Sequence, residues 1–199
     1  MKRLMISAHP EWVQKILNGE KTIEVRPWMP KGVLPLEVLI YVTKGKPYLN
    51  SKNDIVFWLE QEDVLGESET TKKLNIGSYG LFKRLNGKVV GKFTLNKTYK
   101  LINVGGLGIA NLDIKQPEFD EIIKKTCLSI NQIGQYLKGK DGHAWKIDDL
   151  VIFYEPKELG EFYHYKKKLI DCGMDCPPYI DEVKVPLTKA PQKMVWVEK

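Results

Sequence analysis

The chain has 199 residues, 43% hydrophobic and 28% charged, and 31 Lys and Arg against 25 Asp and Glu give a net charge of +6. That length fits one domain, or one domain with insertions, and it can bury a sizeable core without disulfide or metal staples. Arg3, Arg26 and Arg84 are its only arginines, which excludes a profile built for reading duplex DNA base by base, because bidentate recognition favours arginine over lysine.

Arg3 to Ser7 reads as a first strand. The apolar run after Lys2-Arg3 is too short for a signal-peptide core. Val33 to Val42 is interrupted by Pro35 and Glu37 and is too short to span a bilayer. A cytoplasmic protein is the expectation. Pro10 suits the first turn of a helix, where its missing N–H costs nothing. Trp12, Val13, Ile16 and Leu17 recur at helical spacing and make one apolar face. Asn18-Gly19 supplies a stop, with Gly19 in the left-handed conformation.

Gly19-Glu20-Lys21-Thr22-Ile23-Glu24-Val25-Arg26 follows directly. Ile23 and Val25 alternate with Glu24 and Arg26, so a strand here sends the apolar pair into a core and the charged pair to the other face. Lys21 stands at its entry. Mixed charge beside a tight turn has two readings: a solvated edge strand with a surface ion pair, or the polar wall of a cleft that receives a polar ligand. Trp28, in the loop Pro27 to Gly32, either packs on a rim or overhangs the same cleft as a stacking platform.

Leu36 to Val42 reads as a buried strand. Residues 44–80 read as an insertion, with a helix over Asn53 to Leu65 and a polar loop over Glu67 to Tyr79. Asn86-Gly87 is a turn. Lys88 to Ile102 is one long strand or two joined by a bend, and Gly91 inside it signals a bulge or a close backbone approach. Gly105-Gly106-Leu107-Gly108 lacks the ending of a phosphate-binding P-loop and is read as a plain loop. Pro117 to Cys127 is a helix, and Ser129-x-x-Gln132 is a capping box opening another. Gly142 to Ile147 and Leu150 to Tyr154 are strands, and Met194 to Glu198 closes the sheet. Residues 155–189, with the Lys166-Lys167-Lys168 run, read as an appendage wrapping the fold.

Cys127, Cys172 and Cys176 make an odd count, which argues against a disulfide framework. Cys172-x-x-x-Cys176 has no second paired motif to complete a zinc site. His9, His143 and His164 are widely spaced and form no ligand pair. No metal and no cofactor are expected.

The pattern Gly-x-Lys-x-x-Glu-x-Arg at Gly19–Arg26 resembles the signature of the ASCH domain, a branch of the PUA-like β-barrels. The lead-in Leu4-Met5-Ile6-Ser7-x-x-Pro10 with its helix is similar to that family too. So are the Gly91-Lys92-Phe93 and His143-Ala144-Trp145 strands and the closing Ala190-Pro191-Gln192. The resemblance implies an α+β fold, a mixed PUA-like barrel with peripheral helices and one inserted segment, spanning residues 1–199 as a single domain. It also implies a nucleic-acid-related role. The implied ligand, RNA or a nucleotide, would lie in a cleft lined by Lys21, Glu24, Arg26, Trp28, Lys92 and Trp145.

Three functions follow from these residues. Binding of single-stranded RNA or a nucleotide needs cations for phosphate, aromatics for bases, and Glu24 as an acceptor for an exocyclic amine. Hydrolysis of RNA or of a modified nucleoside would rest on Lys21 and Glu24 as catalytic residues. Acetylcytidine amidohydrolases of the family use a Lys, a Thr and a Glu. Here Lys21 matches, Glu24 stands at the Thr position, and the strand resembling their carboxylate strand, Val90 to Thr94, holds Lys92 and no acid. A protein-interaction module using the insertion is the third reading.

Overall fold

The computed structural model describes residues 3–32, 34–44, 48–49, 55–56, 85–105, 108–111, 113–170 and 179–198. Strand β1 (Arg3–Ala8) runs into helix α1 (Pro10–Leu17), and β2 (Ile23–Arg26) and β3 (Leu36–Val42) follow. Two short strands, β4 (Tyr48–Leu49) and β5 (Ile55–Val56), pair with each other. Then come β6 (Lys88–Leu95), β7 (Thr98–Asn103), β8 (Ile109–Ala110), α2 (Gln116–Lys125) and α3 (Ile130–Tyr136). The chain ends with β9 (Gly142–Lys146), β10 (Asp148–Glu158), β11 (Tyr163–Ile170), β12 (Tyr179–Pro186) and β13 (Met194–Val197).

A five-stranded sheet has the order β10-β6-β3-β1-β13, and a four-stranded sheet has the order β2-β9-β7-β8. The larger sheet is covered on both faces. Leu4, Ile6, Val38, Ile40, Phe93 and Leu95 pack with Val13 and Ile16 of α1. The alternate residues Met5, Leu39, Tyr41 and Val89 meet Phe162 and Leu187 on the other side. Double burial explains why β3 reads as a near-continuous apolar run rather than an alternating one. The smaller sheet turns Ile23, Val25, Leu101 and Ala144 toward Phe119, Ile122 and Ile133 of α2 and α3.

The α+β class holds, with mixed sheets and a few helices. Closure into a barrel does not: among the described residues the strands stay in separate sheets. The long segment from Lys88 explains part of this. It breaks into β6 and β7, which belong to different sheets. Gly91 sits at a close approach, where an added Cβ would lie 2.6 Å from the Val151 carbonyl oxygen. The register shifts on both sides of that position, as bulges do where a strand bends.

The appendage is more ordered than a wrapping segment. β11 and β12 form a two-stranded antiparallel ribbon over eight residue pairs, tied to the end of β13 by a bridge between Tyr163 and Glu198. Ile55–Val56 are strand where a helix was expected. The rest of that helix, the loop Glu67 to Tyr79, Gly106-Leu107, Cys172 and Cys176 lie outside the described residues. Among the described residues no helix is long and apolar enough to cross a membrane.

Candidate functional site

The octapeptide is held by its backbone before its side chains act. Gly19 takes φ +78°, the left-handed turn that ends α1. The Lys21 amide N–H donates back to the Lys15 carbonyl at 2.9 Å, and the Thr22 N–H donates to the Lys125 carbonyl at 3.1 Å. The turn is thus pinned to α1 on one side and to the end of α2 on the other. β2 then pairs antiparallel with β9, Glu24 opposite Trp145 and Arg26 opposite His143.

Ile23 and Val25 enter the core between the smaller sheet and α2 and α3, as alternation requires. The polar residues are buried as well: Lys21 is 2% exposed, Glu24 7% and Arg26 7%. This excludes the solvated-edge reading. The Lys21 ammonium lies 3.4 Å from Glu24 Oε2, and Arg26 Nε lies 2.9 Å from Glu24 Oε1. The Arg26 Nε–H is not aligned for a hydrogen bond, so that contact is Coulombic. Lys21 Nζ also donates to the carbonyls of Ile23 at 2.9 Å and Thr126 at 2.7 Å. Arg26 Nη2 donates to the Ser7 carbonyl at 2.9 Å. Burying charge is costly unless it is paired; here all three are paired, and the two cations are also hydrogen-bonded to backbone carbonyls.

A cavity of about 520 Å³ opens beside this triad, with walls from the end of β1, from α1 (Trp12), from β2 (Lys21, Glu24, Arg26) and from α3 (Gln132, Gln135, Tyr136). That volume lies in the range of about 300–1,000 Å³ usual for small-molecule pockets. Trp12 is half-buried and its ring faces Lys21, with the ammonium 5.8 Å from the ring centre. Tyr136 is 47% exposed. Burial pushes its hydroxyl above the usual phenol range; Arg26 opposes that and Glu24 adds to it.

The six site residues expected from sequence do not converge. Lys21, Glu24 and Arg26 share the cavity wall. Trp145 lies on the Glu24 side of the smaller sheet but is 0% exposed and belongs to the core between the larger sheet and α1, so it offers no face for stacking. Trp28 packs edge-on against it, ring centres 5.4 Å apart, with the Arg26 guanidinium 5.9 Å from its ring. This is the rim reading of Trp28, not the platform. Lys92 stands in the larger sheet and pairs with Glu37 at 2.7 Å, away from the cavity wall.

Sequence reasoning missed Trp12 as a lining residue and the whole α3 wall. The helix itself was legible from its capping box, in which Gln132 N–H donates to Ser129 Oγ and Ser129 N–H to Gln132 Oε1. What its outer side faces was not, because the partner strand lies more than a hundred residues earlier. Among the described residues no group of three or more His, Cys, Asp or Glu is arranged to hold a metal.

Fold and site together define an α+β protein with a cavity at the seam between two sheets, one wall of it built on a buried Lys-Glu-Arg triad. The family model for the ASCH domain matches residues 6–95, the span that holds the end of β1, α1 and that triad. Over that span the chain is similar to the ASCH domain. Among solved structures, two point-mutant forms of the ASCH protein from Zymomonas mobilis match at 16% and 17% identity. They cover 100% of this chain and 92% and 89% of theirs, each with a TM-score of 0.52. The unmodified Zymomonas mobilis protein matches at 16% identity over 100% of this chain and 89% of its own, with a TM-score of 0.48. At that identity the mutant structures speak for the fold alone. No curated protein matches the chain.

Proposed function

We propose that this protein binds a nucleotide, free or as one unit of single-stranded RNA, in the cavity beside Lys21, Glu24 and Arg26. One observation carries the reading: a concave site of about 520 Å³ joins a buried charged triad to two aromatic rings, Trp12 and Tyr136, and two side-chain amides, Gln132 and Gln135. Aromatic walls suit the faces of an unstacked base, and amides and a carboxylate suit its edge.

The chemistry favours binding over turnover. A lysine nucleophile needs a lone pair and room to advance. The three N–H bonds of the Lys21 ammonium face three acceptors, the two carbonyls and Glu24, and the side chain is enclosed. Glu24, held between two cations, is placed to accept a hydrogen bond.

The test incubates the protein with a short labelled oligoribonucleotide and with acylated cytidine. Trp12→Ala and Tyr136→Ala serve as cavity variants that leave the triad intact. RNA binding without turnover is expected, weakened about tenfold or more in each variant if a stacked base is lost. Steady hydrolysis of either substrate, abolished in Glu24→Gln, would replace this reading with the hydrolase.

A further inference from the structure

The Lys21 donors are all engaged, and Arg26 is engaged on two of its three nitrogens. Lys21 is 2% exposed and its donors meet the Ile23 and Thr126 carbonyls and Glu24. Arg26 is 7% exposed, its Nε inaccessible against Glu24 and its Nη2 on the Ser7 carbonyl. A phosphate brought to this wall would find no free ammonium and would face a carboxylate. Like charges in a partly desolvated site repel strongly.

The groups left to a ligand are different ones. An ionised carboxylate offers about four lone-pair directions. Glu24 uses one oxygen toward Arg26 and the other toward Lys21, which leaves acceptor capacity on the cavity side. Gln132 commits its carbonyl oxygen to the Ser129 N–H of the capping box, so its NH₂ is the part that remains as a donor. The wall therefore presents Glu24 as an acceptor and the Gln132 amide as a donor, beside the Gln135 amide and the Tyr136 hydroxyl.

We infer that the cavity reads the edge of a nucleobase carrying an exocyclic amine beside a ring acceptor, and leaves the phosphate outside. This rests on the nucleotide-binding reading above. The amine donates to Glu24, and the neighbouring ring nitrogen accepts from the Gln132 amide. Lys21 and Arg26 serve as posts that hold the carboxylate aimed. A keto base puts an oxygen where the amine should be, and leaves two acceptors facing each other without a proton between them.

Calorimetry on the unmodified protein tests this with two pairs that differ by an amine-to-carbonyl exchange: cytidine against uridine, and adenosine against inosine. Their monophosphates and inorganic phosphate complete the panel. The amine-bearing member of at least one pair is expected to bind about tenfold tighter. Adding the phosphate should change little, and the affinity should stay flat from low to high salt. Glu24→Gln should bring the preferred pair to near equality, since its amide can donate to a keto oxygen; if that variant unfolds, the unmodified panel still decides. Equal or tighter binding of the keto partner, or competition by inorganic phosphate, overturns the inference while nucleotide binding stands. If no nucleoside, nucleotide or oligoribonucleotide binds, both fail.

Discussion

Among the described residues, Glu37 and Glu24 each lie between two cations. In the larger sheet, Glu37 lies 2.5 Å from Arg3 Nε and 2.7 Å from Lys92 Nζ. In the smaller sheet, Glu24 lies between Lys21 and Arg26. The charges match, but the surroundings do not: the side chains of Arg3 and Lys92 are 38% and 34% exposed, whereas those of Lys21 and Arg26 are 2% and 8%. Water screens the first triad and can replace any partner that leaves it. The second has backbone carbonyls in place of water and no substitute for a missing charge. Composition and spacing cannot separate the two; only burial makes one a surface ornament and the other a site wall.

The sharpest way to break this contrast is Arg26→Ala. It leaves Glu24 buried with one cation fewer, and a loss of about 3–5 kcal/mol is expected in denaturant melts. A loss under about 1 kcal/mol would show that the enclosed triad behaves like an exposed one. Trp12→Ala comes next. On an apolar helix face, a buried tryptophan would cost about 3–5 kcal/mol. Val13 and Ile16 take the core positions instead, and Trp12 lines the cavity half-buried, so about 1 kcal/mol is expected, with the larger effect on ligand affinity.

Lys92→Ala should be the mildest, about 0–1 kcal/mol and smaller still at high salt. Its pH dependence sharpens the point. Burial alone would raise the Glu37 pKa, but the Lys92 hydrogen bond and the charges of Arg3 and Lys92 outweigh it, and the carboxyl is held below its ordinary value. A group whose folded pKa is depressed contributes stability above its unfolded pKa and loses it as pH falls through the folded one. The melting-point gap between the unmodified protein and Lys92→Ala should therefore close on acidification below the usual carboxylate range. A gap that persists there would assign the Lys92 contribution to packing of its stem rather than to charge.

Local patterns were legible where the chain alone decides them. Pro10, the Gly19 stop, the Ile23-Val25 alternation and the Ser129–Gln132 box each describe a few adjacent residues, and each was readable as such. Lys92 and Trp145 show where that ends. Lys92 has the charge of a site residue and a strand position near the motif, but its sheet takes it to Glu37. Trp145 sits opposite Glu24, yet Trp28 and the core beneath α1 cover it. Barrel closure failed for the same reason: whether β6 and β7 continue one sheet or part into two depends on partners far along the chain.

The Lys21 ammonium fastens two stretches of chain that are 105 positions apart. Its far anchor is the main-chain oxygen of residue 126, and no side-chain replacement there can delete a carbonyl. The Thr126 hydroxyl instead fixes where that oxygen sits, donating to the Ile123 carbonyl at 2.6 Å and accepting from the Leu128 N–H at 3.1 Å. The fastening can thus be undone from that end only by relocating the bend between α2 and α3. A residue that never touches the hollow thereby governs the spacing of its walls.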